Sequence, residues 1–294
     1  RDDVTTVRLE GAMGEYAKKI GPKASLSLAR KFADDTLGVA FTASYAKRFI
    51  EGDDLRNEDG FQLRTVGTEA FLYPREVNQR FEVGDRSRYG GTANIEYRPT
   101  DSQEYFIRAS ATRLEDNDIR IQSQWQTERA VNAEVQEITE GSGRFIDVRL
   151  RNQIFFQPTT DRQFTISGGH RNTFGALEWN SQVDFARSRW TQEDGVRGRF
   201  QIDDIGQIAN YDRESAYTEF FRDRTRPDPF DLAQYRFQSL LFIEEERIDE
   251  IFTAGTNLAW NLGEGSQLKI GAKYRQREKS ADKVEYSGDP ALFG

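Results

Sequence analysis

The stretch QLKIGAKYRQRE, Gln267 to Glu278, reads in twos. Leu268, Ile270, Ala272 and Tyr274 occupy every second position, and Lys269, Gly271, Lys273, Arg275 and Arg277 fill the places between them. Successive side chains of a β-strand point to opposite faces, so this strand is apolar on one side and cationic on the other. The fold turns on what each side meets. One answer is a protein core and water; the other is lipid and a polar lumen.

The same period runs through the chain. In LGVAFTASYAK, Leu37, Val39, Phe41, Ala43 and Tyr45 alternate with Gly38, Ala40, Thr42 and Ser44. In ALEWNSQVDFA, Leu177, Trp179, Val183 and Phe185 oppose Glu178, Asn180, Gln182 and Asp184. IFTAGTNLAW sets Phe252, Ala254, Leu258 and Trp260 against Thr253, Gly255 and Asn257. TANIEYR and EYFIRASAT repeat the pattern, with Ile95, Tyr97, Tyr105 and Ile107 against Glu96 and Arg108. Helical spacing is nowhere of comparable strength.

These strands come in pairs. The connections ADDT (33–36), PTDSQ (99–103), HRNTFG (170–175) and NLGEGS (261–266) are short and rich in turn-forming residues. The stretches from about 48 to 90, 114 to 148 and 189 to 249 read instead as long, polar, acidic connectors, rare in a compact soluble domain. In an up-and-down arrangement the short turns gather at one end and the long connectors at the other, as in an outer-membrane barrel. An earlier strand, TTVRLEGAMGEY, followed by AKKIGPK, brings the count to about nine. Bacterial single-chain barrels close with an even number and leave no raw edges. The expectation is therefore a fragment of a larger sheet.

Composition narrows the classes. Of 294 residues, 36 % are hydrophobic and 31 % charged, and the net charge of -8 argues against a nucleic-acid partner. No window approaches the roughly 18 apolar residues of a membrane helix, but a barrel strand needs only about 9–11. With no cysteine and one histidine, disulfides and ordinary zinc sites are not expected, nor is any cofactor. Residue 1 is Arg and no signal segment opens the chain, so the reading is a piece of a longer protein.

Aromatics bracket the apolar stripes. Tyr97, Tyr105 and Trp260 lie beside short turns, whereas Tyr45, Phe185 and Tyr274 lie near the opposite strand ends. Two such girdles are expected at membrane interfaces. The lipid-facing set is accordingly Val39, Phe41, Tyr45, Tyr97, Tyr105, Trp179, Phe185, Trp260, Ile270 and Tyr274. The competing reading is a secreted or surface β-sandwich binding module whose inner face holds those aromatics.

The succession TTVRLEGAMGEY, GPKASLSLARKFADDTLGVAFTASYAKR, YGGTANIEYRPTDSQEYFIRASATRLEDN, TISGGHRNTFGALEWNSQVDFARSRW and LKIGAKYRQREKSAD resembles TonB-dependent outer-membrane receptors. It is most similar to the branch associated with carbohydrate import, and FADDTLGVAFTASY and the GGHR segment are its more telling parts. The resemblance spans essentially all of residues 1–294 as the N-terminal part of the barrel, beginning just after the plug domain. It implies an all-β, transmembrane, antiparallel up-and-down barrel of 22 strands in the bacterial outer membrane. It also implies a plug driven by the TonB complex, and an oligosaccharide or other small nutrient captured by extracellular loops. An iron chelate is the second choice of ligand, and a surface lipoprotein is a further partner it leaves open. Plug, TonB-contacting segment and C-terminal barrel strand are not recognisable here, so their functional residues are not carried over.

Within that frame Glu96, Arg108, Glu178, Asp184, Lys269, Lys273, Arg275 and Arg277 are lumen-facing and would contact the plug. Trp125, Trp190, Tyr211, Tyr217, Phe220 and Phe221 sit in the connectors as candidate substrate-binding aromatics, because sugar rings stack on aromatic faces. EGDDLRNED (51–59) and LEDND (114–118) read as solvated acidic loops without the spaced ligands of a calcium loop. His170 reads as a turn residue with no activated serine beside it, and no motif supports catalysis.

Overall fold

The computed structural model describes residues 3–66, 68–127, 141–210, 219–263 and 265–288. They form one antiparallel sheet of ten strands with no α-helix among the described residues. The strands are β1 (Val4–Met13), β2 (Ile20–Phe32), β3 (Leu37–Val66), β4 (Glu69–Thr100) and β5 (Gln103–Gln126). They continue with β6 (Ser142–Phe174), β7 (Leu177–Asn210), β8 (Glu219–Arg222), β9 (Arg236–Gly263) and β10 (Ser266–Gly288). The path is β1-β2-β3-β4-β5-β6-β7-β9-β10, nine strands in up-and-down order, with four-residue β8 pairing only the far end of β7. β1 and β10 are the two edges and do not pair with each other.

The hairpin ends follow local chemistry. Ala33, Asp34 and Asp35 all take positive φ between Phe32 and Leu37, a conformation that Asp adopts more readily than most residues. Gly175 (φ 60°) makes a two-residue turn that leaves Phe174 directly opposite Leu177. His170 is therefore not a turn residue: it lies inside β6, opposite Tyr105 and Ser181. The turns of β2-β3, β4-β5, β6-β7 and β9-β10 share one end of the sheet, and the six-residue link 14–19 between β1 and β2 is at the other.

Most of the described residues in the long polar stretches belong to strands rather than loops, the segment 223–235 excepted. β3 and β4 pair from Leu37/Tyr97 out to Val66/Glu69, and β6 and β7 run 33 and 34 residues. At roughly 3.3 Å per residue, β7 spans about 110 Å. The acidic segments 51–59 and 114–118 thus lie within β3 and β5. They escape a reading as strand because their polar face carries paired charges that lower average hydrophobicity without disturbing the ladder.

Register fixes two faces. Leu37, Tyr97, Tyr105, His170, Ser181, Thr256 and Ala272 form one cross-strand row near the short turns. Tyr45, Tyr89, Arg113, Arg162, Arg189, Ile248 and Ser280 form another row on the same face. Between these rows on β3 to β6 lie Val39, Phe41, Ile95, Ile107 and Ile166, making an apolar belt. From Leu37 to Tyr45 the belt measures about 26 Å along the strand. It crosses the strands obliquely. On β10 the apolar stripe ends at Tyr274, six residues short of Ser280 in the upper row (280 − 274). Six residues, about 20 Å, over six strand spacings, about 29 Å, correspond to a slope of about 35°.

Beyond the belt the same face turns polar, then apolar again, with Phe81, Ile121, Ile154, Phe200 and Phe242 all exposed. At the far end Tyr73, Phe145, Val148, Leu150, Ile202 and Ile205 form the buried cluster, with Trp125 and Tyr235 packed on it. The return segment 223–235 helps to close this cluster. Its Asp223, 4 % exposed, accepts a 2.8 Å bond from Arg144 Nε, and Asp223 N–H bonds Gly206 O at 3.1 Å.

Candidate functional site

The pleat carries chemistry to opposite sides of one wall. Val39, Phe41, Tyr45, Tyr97, Tyr105, Trp179, Phe185, Trp260, Ile270 and Tyr274 all fall on the belt face by strand register. Glu96, Arg108, Glu178, Asp184, Lys269, Lys273, Arg275 and Arg277 all fall on the other. Tyr45, Phe185 and Tyr274 mark the belt's limit rather than strand ends, because their strands continue past them.

Aromatic rings line the turn side of the belt. Tyr97 stacks with Tyr105 at 6.3 Å, Tyr105 lies 6.2 Å from His170, and His170 meets Trp179 edge-on at 4.4 Å. The indole Nε1 donates to Thr256 Oγ1 at 3.0 Å, so the row continues from β7 to β9. At the other limit Tyr45 and Tyr89 are 5.1 Å apart.

Behind the belt the polar face is built from small and hydroxyl-bearing residues. Thr42 and Thr92 bond at 2.6 Å, as do Ser110 and Thr165, while Gly38, Ala40, Ser44 and Gly90 leave the wall low. Arg108 pairs with Glu96 at 3.4 Å and lies 4.4 Å from the Phe106 ring centroid. Arg98 reaches Glu96 at 3.4 Å and Glu104 at 3.3 Å. Arg277 bonds Asp249 at 2.9 Å. Glu178 and Lys269 share the register row of Ala259, one strand apart on either side.

Higher on the polar face two features stand out. The first is a pocket of about 200 Å³ on which Asp116, Asp118, Arg120, Phe155, Trp190 and Gln192 converge. Trp190 carries Arg247 over its ring at 4.8 Å, and Phe155 lies between Arg120 and Arg197 at 5.7 and 4.9 Å. Arg86 Nε donates to Asp116 Oδ2 at 2.7 Å. Asp116 Oδ1, Asp118 Oδ1, Arg120 Nε and Gln192 Nε2 are buried without a hydrogen-bond partner among the described residues. Burial, then the Asp116 charge beside it, pushes the Asp118 carboxyl up to about 6.

The second feature is a ladder of amides and carboxylates. Glu76, 7 % exposed, accepts from Gln126 at 3.1 Å, from Asn78 at 3.2 Å and also from Gln124. Gln122 donates to Asn78 at 3.0 Å. Gln124 accepts from Arg151 at 3.1 Å, and Gln153 accepts from Arg199 at 3.2 Å. On β7 and β6, Asp203 accepts from Gln201 at 2.9 Å and from Arg149 at 2.7 Å, bonds that hold its carboxyl below its ordinary value against the opposing effect of burial. Amides present donors and acceptors side by side, so this wall can match hydroxyl groups in either role.

Set against protein-family models, curated proteins and solved structures, the chain matches none.

The expected loop aromatics divide. Trp190 is a strand residue on the polar face and lines the pocket. Trp125 is also in a strand, but on the opposite face, where it packs on the buried cluster. Phe221 lies in β8 opposite Ile208 and is 49 % exposed. Tyr211 and Tyr217 lie outside the described residues, and for Phe220 only its backbone place opposite Ala209 is described. Phe155, Asp116, Asp118 and the glutamines are site residues that the connector reading missed. The signal was present in IRIQSQW, 119–125, where Ile119, Ile121 and Trp125 alternate with Arg120, Gln122 and Gln124.

Proposed function

We propose that this chain is wall from a β-barrel of the TonB-dependent receptor type in a bacterial outer membrane. The belt face meets lipid, and the polar face lines a lumen that a plug closes. The observation that carries this reading is the belt itself. Its length of about 26 Å along strands crossed at a slope of about 35° gives a height of about 21 Å, near the apolar band of about 25 Å, and the slope matches the strand tilt of about 35–45° of such barrels. Large apolar side chains within it stay open to their surroundings: Ile107 is 53 % and Ile270 65 % exposed. A sandwich would cover them with a second sheet, and among the described residues there is none.

The ligand site is the pocket formed by Trp190, Phe155, Asp116 and Asp118. It combines aromatic faces, carboxylates and polar atoms without partners, which is the chemistry of a sugar site. A carbohydrate is the leading nutrient and an iron chelate the second. The low, hydroxyl-lined wall below leaves room for a plug held by hydrogen bonds and ion pairs such as Glu96–Arg108. The TonB complex would supply the work of moving it.

The test has two arms. The protein should leave membranes only with detergent, and Val39→Arg or Ile270→Arg should abolish assembly while Thr42→Arg should not, since a cation in lipid costs about 2–4 kcal/mol. A soluble monomer with all three variants folding alike would sink the membrane reading. Calorimetry with an oligosaccharide panel and ferric chelates should then show a ligand that Trp190→Ala loses. Binding undiminished in Trp190→Ala would sink the site.

A further inference from the structure

Just above the belt, on the same face, lies a cavity of about 580 Å³. Its walls carry Arg113, Arg162, Arg187 and Arg189, and its floor is Gly91, Ala111 and Phe164. Arg113 stands directly opposite Arg162, and Arg162 directly opposite Arg189, on adjacent antiparallel strands. Opposed residues have Cβ atoms about 4.5–5.5 Å apart, and like charges so placed destabilise a sheet. Three of the four have anionic neighbours: Arg113 pairs with Glu115, Arg189 with Glu246, and Arg187 with Glu250 at 3.2 Å. Arg162, at the centre of the row, has no ion-pair or hydrogen-bond partner among the described residues, and it is exposed.

We infer that this cavity binds the phosphate headgroup of an anionic lipid in the outer leaflet, an inference that rests on the membrane reading above. The row stands where hydrocarbon gives way to headgroups, one pleat beyond Ala111 and Phe164. Guanidinium forks grip phosphate oxygens in pairs, and Arg162 brings unused N–H donors to the middle of the row. The apolar floor runs down into the belt, so acyl chains continue along Ala109 and Ile166 below the headgroup. A soluble anion would use the arginines but not that floor. A lipid uses both, and it neutralises the repulsion that the register creates.

The experiment uses the detergent-purified protein, reconstituted into phosphatidylcholine vesicles with and without phosphatidic acid, and native mass spectrometry of what remains bound. Wild type should retain phosphatidic acid about tenfold over phosphatidylcholine, the effect of one or two charged hydrogen bonds. The double variant Arg162→Gln/Arg189→Gln should lose that preference with unchanged strand content, Arg162→Lys should keep part of it, and millimolar inorganic phosphate should not displace the lipid. Equal retention of both lipids would overturn the proposal, as would a preference that survives the double variant. Displacement by inorganic phosphate would also overturn it and mark a soluble-anion site. Insertion into pure phosphatidylcholine vesicles tests the membrane reading separately: if the protein inserts there without headgroup preference, only the lipid site falls, and if it inserts into neither vesicle, both fall.

Discussion

His170 and Trp179, two strand residues on either side of a two-residue turn, meet edge to face with ring centroids 4.4 Å apart. The contact joins the aromatic row of β4 and β5 to the indole that bonds Thr256 on β9. Edge-to-face pairs contribute about 0.5–1.5 kcal/mol beyond the area they cover. Trp179→Ala should therefore lower the urea midpoint of the micelle-folded protein, and His170→Ala combined with it should add less than its single effect. Strictly additive losses would show that the two rings do not couple.

Glu76 holds three amide side chains on the polar face while almost wholly buried. Glu76→Ala leaves those donors unsatisfied, at roughly 1–3 kcal/mol for each that water cannot reach. The expected result is faster hydrogen exchange in 76–80 and 122–126 with normal membrane assembly. Loss of assembly instead would mean that the ladder is needed for the sheet as a whole.

Asp118 gives a pH signature. Its carboxyl ionises near 3.8 in the unfolded chain but only at about 6 in the fold, because burial and then Asp116 disfavour the charge. Between those values the folded state holds more protons than the unfolded one, so stability falls as pH rises from 4 to 6. Asp118→Asn removes that loss. It should be more stable than wild type at pH 8, by on the order of 1 kcal/mol once solvent screening is allowed for, and equal to it below about pH 4. Paired urea titrations at the two pH values measure this; a variant less stable at pH 8 would show that the ionised carboxylate has a binding partner instead.

The pairing of strands and the placing of the short turns at one end were legible in segments such as LGVAFTASY and QLKIGAKYR, because there one face is wholly apolar. The outer halves of β3 to β7 were not. In FEVG (81–84) and IRIQ (119–122) the period of two persists, yet Glu82, Arg120 and their neighbours make the segments read as solvated connectors. Charge pairs across strands, such as Arg86–Asp116 and Arg80–Glu58, keep these stretches extended, and no single segment reveals its cross-strand partner. For the same reason Trp125 and Trp190 looked equivalent in the sequence: only the register puts them on opposite sides of the wall.

The overshoot of β5 past its belt, from Ala111 to Gln126, amounts to about 50 Å of rigid ladder. In the proposed barrel, a collar of that height would act as a sieve by shape. Flexible linear molecules would thread it end first, whereas a bulky globule would stop at the rim, far from Trp190. Size exclusion would then be decided by scaffold geometry before any side chain touches its guest, and shortening β3 to β7 in matched pairs would widen the range of admitted cargo without altering the pocket.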